Sequence, residues 1–307
     1  MRVTFLGTGA SIPMPNRALP AVALAHAGMI TLFDCGEGTQ FQLMRAGLSP
    51  SKIRCVCISH LHGDHLFGLP GLLASLSLAS RTAPLRVLGP AGLEEYLHAT
   101  QRLAGSVPSF PLEVNEVPQD SEEWVLRIPQ AIIRAHWLDH TVSCLGFRFA
   151  EDDLPGKFDA EAAARLGVPP GPQRQALVRG ETITLSDGRE VRPEAVVGPP
   201  RPGRKIAYCV DTRPCAGSVL LAQGVDLLIH DGTFATKEVA RARESGHSTA
   251  AQAAQVAVQA CARRLVLTHI SARYVEDVAP LLSESRALFP ATEVAHDLWT
   301  VVLNVRR

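Results

Sequence analysis

Apolar residues fall in short runs along this chain, and several of those runs stop at a histidine or an aspartate. Residues 3–6, 29–33, 53–58, 85–88, 205–210, 227–229, 264–268 and 300–305 have the content of buried strands. Elsewhere the spacing becomes helical: after Gln40 through Leu48, then over 69–78, 93–103 and 250–261. Thr249 and Gln252 have the spacing of a capping box at the start of the last of these helices. Residues 107–124 alternate prolines and acids and predict no element. Strands interleaved with helices, without a regular strand–helix–strand repeat, indicate an α/β fold.

The most informative stretch follows the apolar run 53–58. Ser59-His60-Leu61-His62-Gly63-Asp64-His65 brings three imidazoles and a carboxylate together where a strand ends, with Gly63 allowing a sharp turn. Such a cluster makes a poor core and a good metal cradle. Imidazole nitrogen and carboxylate oxygen suit zinc, and two adjacent ions can activate water and hold a phosphate. A two-metal hydrolase is therefore expected, against the plainer alternative of a histidine-rich polar turn.

Other runs end in similar chemistry. Residues 132–140 run from a β-branched pair into His136 and His140; residues 205–210 stop at Asp211; residues 227–229 lead into His230-Asp231; residues 264–268 deliver His269. Taken singly, Asp211 is as well explained by a turn or a helix cap, and a lone histidine is more often structural than a ligand. Asp34, after the run 29–33, has the same two readings of cap or site residue. Gly7-Thr8-Gly9 lacks the third glycine of a dinucleotide loop, and Pro13, Pro15 and Pro20 block the helix such a loop requires. It is either a tight turn or a loop that positions phosphate.

Composition narrows the class. A chain of 307 residues with 46% hydrophobic content can bury a large core, and a formal net charge of zero excludes nucleic-acid binding by bulk charge. Any RNA contact must come from a local basic surface. Seven cysteines without a CxxC spacing read as small buried hydrophobes in a reducing compartment, with Cys55 and Cys57 on one strand face. The N-terminus enters a strand directly and no apolar run is long enough to cross a bilayer, so a cytoplasmic enzyme is expected.

The His60-to-His65 string has the HxHxDH pattern of the metallo-β-lactamase superfamily. With its extension Leu66-Phe67-Gly68-Leu69-Pro70-Gly71, and with Leu267-Thr268-His269-Ile270-Ser271-Ala272-Arg273-Tyr274 near the C-terminus, the chain resembles the ribonuclease Z branch. The resemblance implies a four-layer αββα sandwich over residues 1–307 and two zinc ions per subunit. It implies His60, His62, His140 and Asp211 around one ion, with Asp64, His65, His269 and the shared Asp211 around the other. Asp64 would also take the nucleophile's proton and His247 would protonate the leaving oxygen, steadied by Asp231, while Asp34 would orient a metal-bound histidine. His136 is left as structural. His230-Asp231-Gly232-Thr233 stands where the family has His-Glu-Ala-Thr, a departure that moves the acid by about one methylene. Asn16-Arg17 reverses the order of the family's Arg-Asn pair.

Residues 151–204 differ in texture: Gly and Pro clusters interrupt a polar segment without long apolar periodicity. On composition this is a surface insertion or linker. The strings Gly167-Val168-Pro169-Pro170-Gly171-Pro172 and Gly180-Glu181-Thr182-Ile183-Thr184 resemble the inserted flexible arm by which bacterial ribonuclease Z grips transfer RNA. Arg165, Arg174 and Arg179 in this arm, with Arg17 and Arg273 outside it, are the expected substrate contacts. The expected reaction removes the 3′ trailer from precursor tRNA, leaving a 3′-hydroxyl on the tRNA and a 5′-phosphate on the trailer, in a homodimer. A two-zinc hydrolase of small phosphodiesters or esters would share the metal motif but would not need the arm. A binding protein on the same fold would show eroded ligands, and all seven positions are filled here.

Overall fold

The computed structural model describes residues 1–305. The strands are, in order, β1 (Arg2–Gly7), β2 (Ala21–His26), β3 (Met29–Phe33), β4 (Ile53–Cys57), β5 (Leu85–Pro90), β6 (Leu112–Val117), β7 (Trp124–Ile128) and β8 (Ala131–Leu138). They continue with β9 (Cys144–Glu151), β10 (Ile183–Thr184), β11 (Glu190–Val191), β12 (Lys205–Cys209), β13 (Leu227–Asp231), β14 (Leu265–Thr268), β15 (Thr292–Val294) and β16 (Thr300–Val302). One seven-stranded sheet has the order β16-β1-β2-β3-β4-β5-β6 and a second the order β15-β14-β13-β12-β9-β8-β7.

Period-two alternation explains why the two sheets stack. In β2, Val22 and Leu24 enter the core shared by both sheets, while Ala21 and Ala23 face helices on the outside. In β12, Ile206 and Tyr208 point into the same shared core and Ala207 and Cys209 point to the opposite helical layer. The helices Gly68–Leu78 and Leu93–Ala104 cover the first sheet, and Ala250–Gln259 with Ala279–Leu288 cover the second. The result is the expected four-layer αββα sandwich, three apolar interfaces thick. Cys55 and Cys57 lie on one face of β4 with their sulfurs 3.8 Å apart, both buried and free.

Strand direction sets the position of the site. β3 to β6 are mutually parallel, as are β12 to β15, so the C-terminal ends of each set fall along one edge. Loops leaving that edge are free to carry functional side chains. Two expectations need revision. Residues 107–124 do contain a strand, β6, paired in parallel with β5; its sequence LEVNEV is only half-buried, and its acids hid the alternation. The last strand stops at Val302, short of the expected 305.

Residues 151–204 form a compact unit of their own. They are more ordered than their composition suggests. Asp159 caps the helix Ala160–Arg165, Pro172 opens the helix Pro172–Val178, and β10 pairs with β11. Ala163, Val168, Leu177, Ile183, Leu185, Val191 and Val196 pack into a small core. Its ends are drawn together by a forked Glu151–Arg204 pair, with both contacts at 2.6 Å. Gly156 allows the two crossing segments to touch there: a Cβ would lie 1.8 Å from the Gly198 carbonyl oxygen.

Candidate metal centre

Asp34 follows β3, Ser59 to His65 follow β4, His140 follows β8, Asp211 follows β12 and His269 follows β14. Asp34, Asp211 and His269 adopt left-handed backbone angles, with φ of 58°, 52° and 58°. That conformation is uncommon for residues other than glycine and concentrates at functional sites, where packing holds it in place. At each position the turn swings a side chain back over the strand end.

The seven expected ligands converge as two groups. His60, His62, His140 and Asp211 each offer a ligand atom within 4.8 Å of the others, and Asp64, His65 and His269 form a second such group. Asp211 stands between them with one oxygen toward each. Its Oδ2 lies 3.7 Å from His60 Nε2 and 3.9 Å from His140 Nε2; its Oδ1 lies 3.3 Å from His65 Nε2 and 3.2 Å from His269 Nε2. Asp64 Oδ2 approaches the same His65 and His269 nitrogens at 3.4 and 3.6 Å.

The opposite ring nitrogens are anchored, which fixes where the facing lone pairs point. His60 Nδ1 meets Ser59 Oγ at 2.9 Å, His65 Nδ1 meets Asp34 Oδ2 at 2.7 Å, His140 Nδ1 meets the Gly246 carbonyl at 2.8 Å, and His269 Nδ1 meets Thr233 Oγ1 at 3.1 Å. Asp34, fully buried, also accepts from the Ser59 amide and hydroxyl and from the Tyr208 hydroxyl. Gly246 is needed at its position: φ is +80°, and a Cβ would lie 2.5 Å from His140 Nδ1. Sequence reading had no role for Ser59, Tyr208, Thr233 or Gly246. Thr233 sits within a string already noted; Tyr208, inside an apolar strand, carries no signal at all.

The donor set fits a cation on two counts. His140 Nε2 in the first group and Asp211 Oδ1, which faces the second, are buried without a hydrogen-bond partner among the described residues, an arrangement that costs free energy unless a cation lies against each. The local charge is also demanding. Burial opposes ionisation of Asp211, yet the imidazoles of His269, His65 and His60 hold it well below the usual carboxylate range. Burial likewise opposes charging of His65, and Asp211 with Asp34 raises it well above its ordinary value. A carboxylate pocket that retains protons this strongly is one that calls for positive charge. His60 and His140, whose burial lowers them, remain neutral and free to donate a lone pair.

Beside this cradle, His247 Nδ1 lies 2.8 Å from Asp231 Oδ2, and Asp231 Oδ1 accepts from the Thr233 amide and hydroxyl. The shorter acid at 231 therefore reaches the histidine directly. Burial works against the imidazolium, but Asp231 raises His247 to about 9, so the ring is protonated at neutral pH. His247 stacks on His269 at 5.1 Å and lies two residues before Thr249, the N-cap of a helix whose Thr249–Gln252 box forms as expected.

The arginines expected to meet substrate divide. Arg17 does not face outward: it is 8% exposed and donates to Thr8 Oγ1 at 2.8 Å and to the Ala295 carbonyl at 2.7 Å, which corrects its expected role to that of an internal tie. Arg174 is half-buried and holds the Val168 carbonyl inside its own unit. Arg273 pairs with Glu238 at 3.1 Å. Arg165 is exposed, as is Arg179, which is joined to Glu181. His136 lies within β8, away from the ligand sets.

Comparison with known proteins agrees with this geometry. A family model described as "Anti-Pycsar protein Apyc1" matches residues 1–109, and one described as "Beta-lactamase superfamily domain" matches residues 178–270. Ribonuclease Z of Salinibacter ruber is 47% identical over 303 residues, 98% of this chain and 94% of that protein. Ribonuclease BN of Cronobacter sakazakii is 45% identical over 307 residues, 99% and 100% of the two. The chain belongs to the ribonuclease Z family. Among solved structures, the short form of human tRNase Z superposes with a TM-score of 0.72 at 30% identity, covering 99% of this chain and 100% of that one. The similarity to ribonuclease Z thus runs through both the sandwich and the inserted unit, including residues 110–177, which neither family model matches.

Proposed function

We propose that this chain is a metal-dependent endoribonuclease that removes the 3′ trailer from precursor tRNA. The observation that carries the reading is the pair of ligand groups divided by one buried aspartate, Asp211, in a chain related over its whole length to ribonuclease Z. Two zinc ions, one with His60, His62, His140 and Asp211 and one with Asp64, His65, His269 and Asp211, would supply Lewis acidity toward water and the scissile phosphate.

The side chains divide the proton work. Asp64 accepts the Ser11 amide at 3.0 Å. Although burial opposes its charge, contacts with His269 and His65 keep its carboxylate well below the usual range, so it is ionised and orients an incoming water and takes its proton. Water oxygen adds to phosphorus as the P–O3′ bond breaks, and protonated His247 supplies the proton that O3′ gains. The products are a 3′-hydroxyl on the tRNA and a 5′-phosphate on the trailer. Asp231 keeps the His247 ring oriented and charged.

The unit of residues 151–204 takes the body of the tRNA, with Arg165 and Arg179 on its surface as the phosphate contacts. In the homodimer, one subunit presents substrate to the other's metals. Free cysteines throughout, with no helix among the described residues long and apolar enough to cross a membrane, support action in the cytoplasm. The decisive test is incubation with a labelled 3′-extended tRNA precursor, with and without chelator, mapping the cut to the nucleotide. Chelator-sensitive cleavage after the acceptor stem is expected; turnover of small esters with no cut in the precursor would transfer the site to the rival hydrolase class.

A further inference from the structure

Next to the ligand groups, a depression of about 440 Å³ is lined by Asp139, Arg213, Pro214, Val239, Arg243, His247 and Gln252. Its size falls in the range of small-molecule sites, roughly 300–1,000 Å³. His247 is the one lining residue that also belongs to a candidate ligand group, so the depression opens on the side from which the leaving oxygen receives its proton. Its two arginines are not equivalent. Arg213 is held: NH1 meets Asp139 Oδ1 at 2.9 Å and Nε donates to the Arg243 carbonyl at 2.7 Å. Arg243 is exposed and its guanidinium has no carboxylate partner among the described residues. Pro214 and the 44% exposed Val239 give the same depression an apolar wall. Glu244 borders the neighbouring surface, beyond the lining itself.

We infer that this depression binds the nucleotide whose 3′ oxygen is released, with Arg243 gripping the phosphate on that nucleotide's 5′ side. The inference rests on the assignment of His247 as proton donor to O3′. If His247 serves that oxygen, the ribose that bears it stands at the mouth of the depression. The base then has the Val239–Pro214 wall to lie against, and the preceding phosphate falls among the arginines. An unpaired guanidinium there gains a charge-assisted contact only when RNA is bound. Arg213, already engaged by Asp139, forms a fixed wall.

The test uses the metal-loaded full chain and three substrates. These are a 3′-extended precursor tRNA, the same precursor with a neutral methylphosphonate in place of the phosphate 5′ to the terminal nucleotide of the tRNA product, and bis(p-nitrophenyl) phosphate. For the unaltered chain the neutral linkage should raise KM roughly 10- to 100-fold with kcat little changed, the scale of one hydrogen bond to a charged group. Arg243→Ala should raise KM on the natural precursor by a similar factor, should not distinguish the neutral linkage from the natural one, and should leave hydrolysis of the small diester unchanged. Arg243→Lys should recover part of the loss. An Arg243→Ala chain that still discriminates against the neutral linkage, or that loses the small diester equally, overturns the inference. Failure of the unaltered chain to cut the natural precursor would instead overturn the proposed function, so the two failures are distinct.

Discussion

At the scale of single residues, the site is a set of oriented lone pairs. Each ligand histidine except His62 has its far nitrogen tied to an oxygen, and Asp34 gathers four hydrogen bonds to hold one of them. In the proposed mechanism Asp64 serves as both ligand and base. Asp64→Ala should cut precursor cleavage by roughly 10²- to 10⁴-fold, the usual worth of a general base, while a filter-binding assay should show precursor affinity largely retained. Asp231 acts through its neighbour, because its carboxylate keeps His247 protonated up to about pH 9. A raised histidine pKa contributes stability that is fully present below its unfolded value near 6.5 and lost as pH rises through the folded value. Asp231→Asn removes that support. The alkaline limb of the kcat profile should then move to lower pH, with kcat at neutral pH reduced about 10- to 100-fold, measured by stopped-time assays across the pH range.

At the scale of elements, parallel strands do the positioning. The ends of β3, β4, β12, β13 and β14 lie on the same edges because their registers are parallel, and left-handed turns at three of the exits direct side chains into one space. Which runs were strands was legible from their apolar content. The half-buried β6 was not, since its acids sit where a fully buried strand would have aliphatic residues. The unit at 151–204 was legible as an insertion but not as a folded body, because a core of only seven buried residues, drawn from helices, hairpin and turns, has no single period to detect. Its separate core has a consequence. Deleting residues 156–192 should leave the sandwich folded and leave hydrolysis of bis(p-nitrophenyl) phosphate within a few-fold, while precursor tRNA cleavage collapses. Parallel kinetics on the two substrates measure the difference, and equal loss of both would make the unit structural.

For the whole molecule, a formal charge of zero leaves RNA binding to local surfaces and the deeply buried centre to cations. Protein purified without chelator should contain zinc near two per chain by elemental analysis, and chelation should lower its melting temperature, because ions that bind only the folded chain stabilise it. Seven ligands divided by Asp211 give that stoichiometry its basis. Sedimentation of the zinc-loaded chain should give a mass of two copies if one subunit's inserted unit serves the other's site.

Much of this was present in the linear chain: the strand runs, the HxHxDH string and the capping box at Thr249 are local patterns set by covalent order and side-chain chemistry, whereas His140, Asp211 and His269 stood out as ligands only through the resemblance to ribonuclease Z. What the linear order could not carry were relations between distant residues. That Tyr208 would support Asp34, that Gly246 would give its carbonyl to His140, and that Arg17 would turn inward to Ala295 follow from strand packing between segments far apart in the chain. Residue type states which contacts a side chain is able to make; only the folded geometry selects the partner.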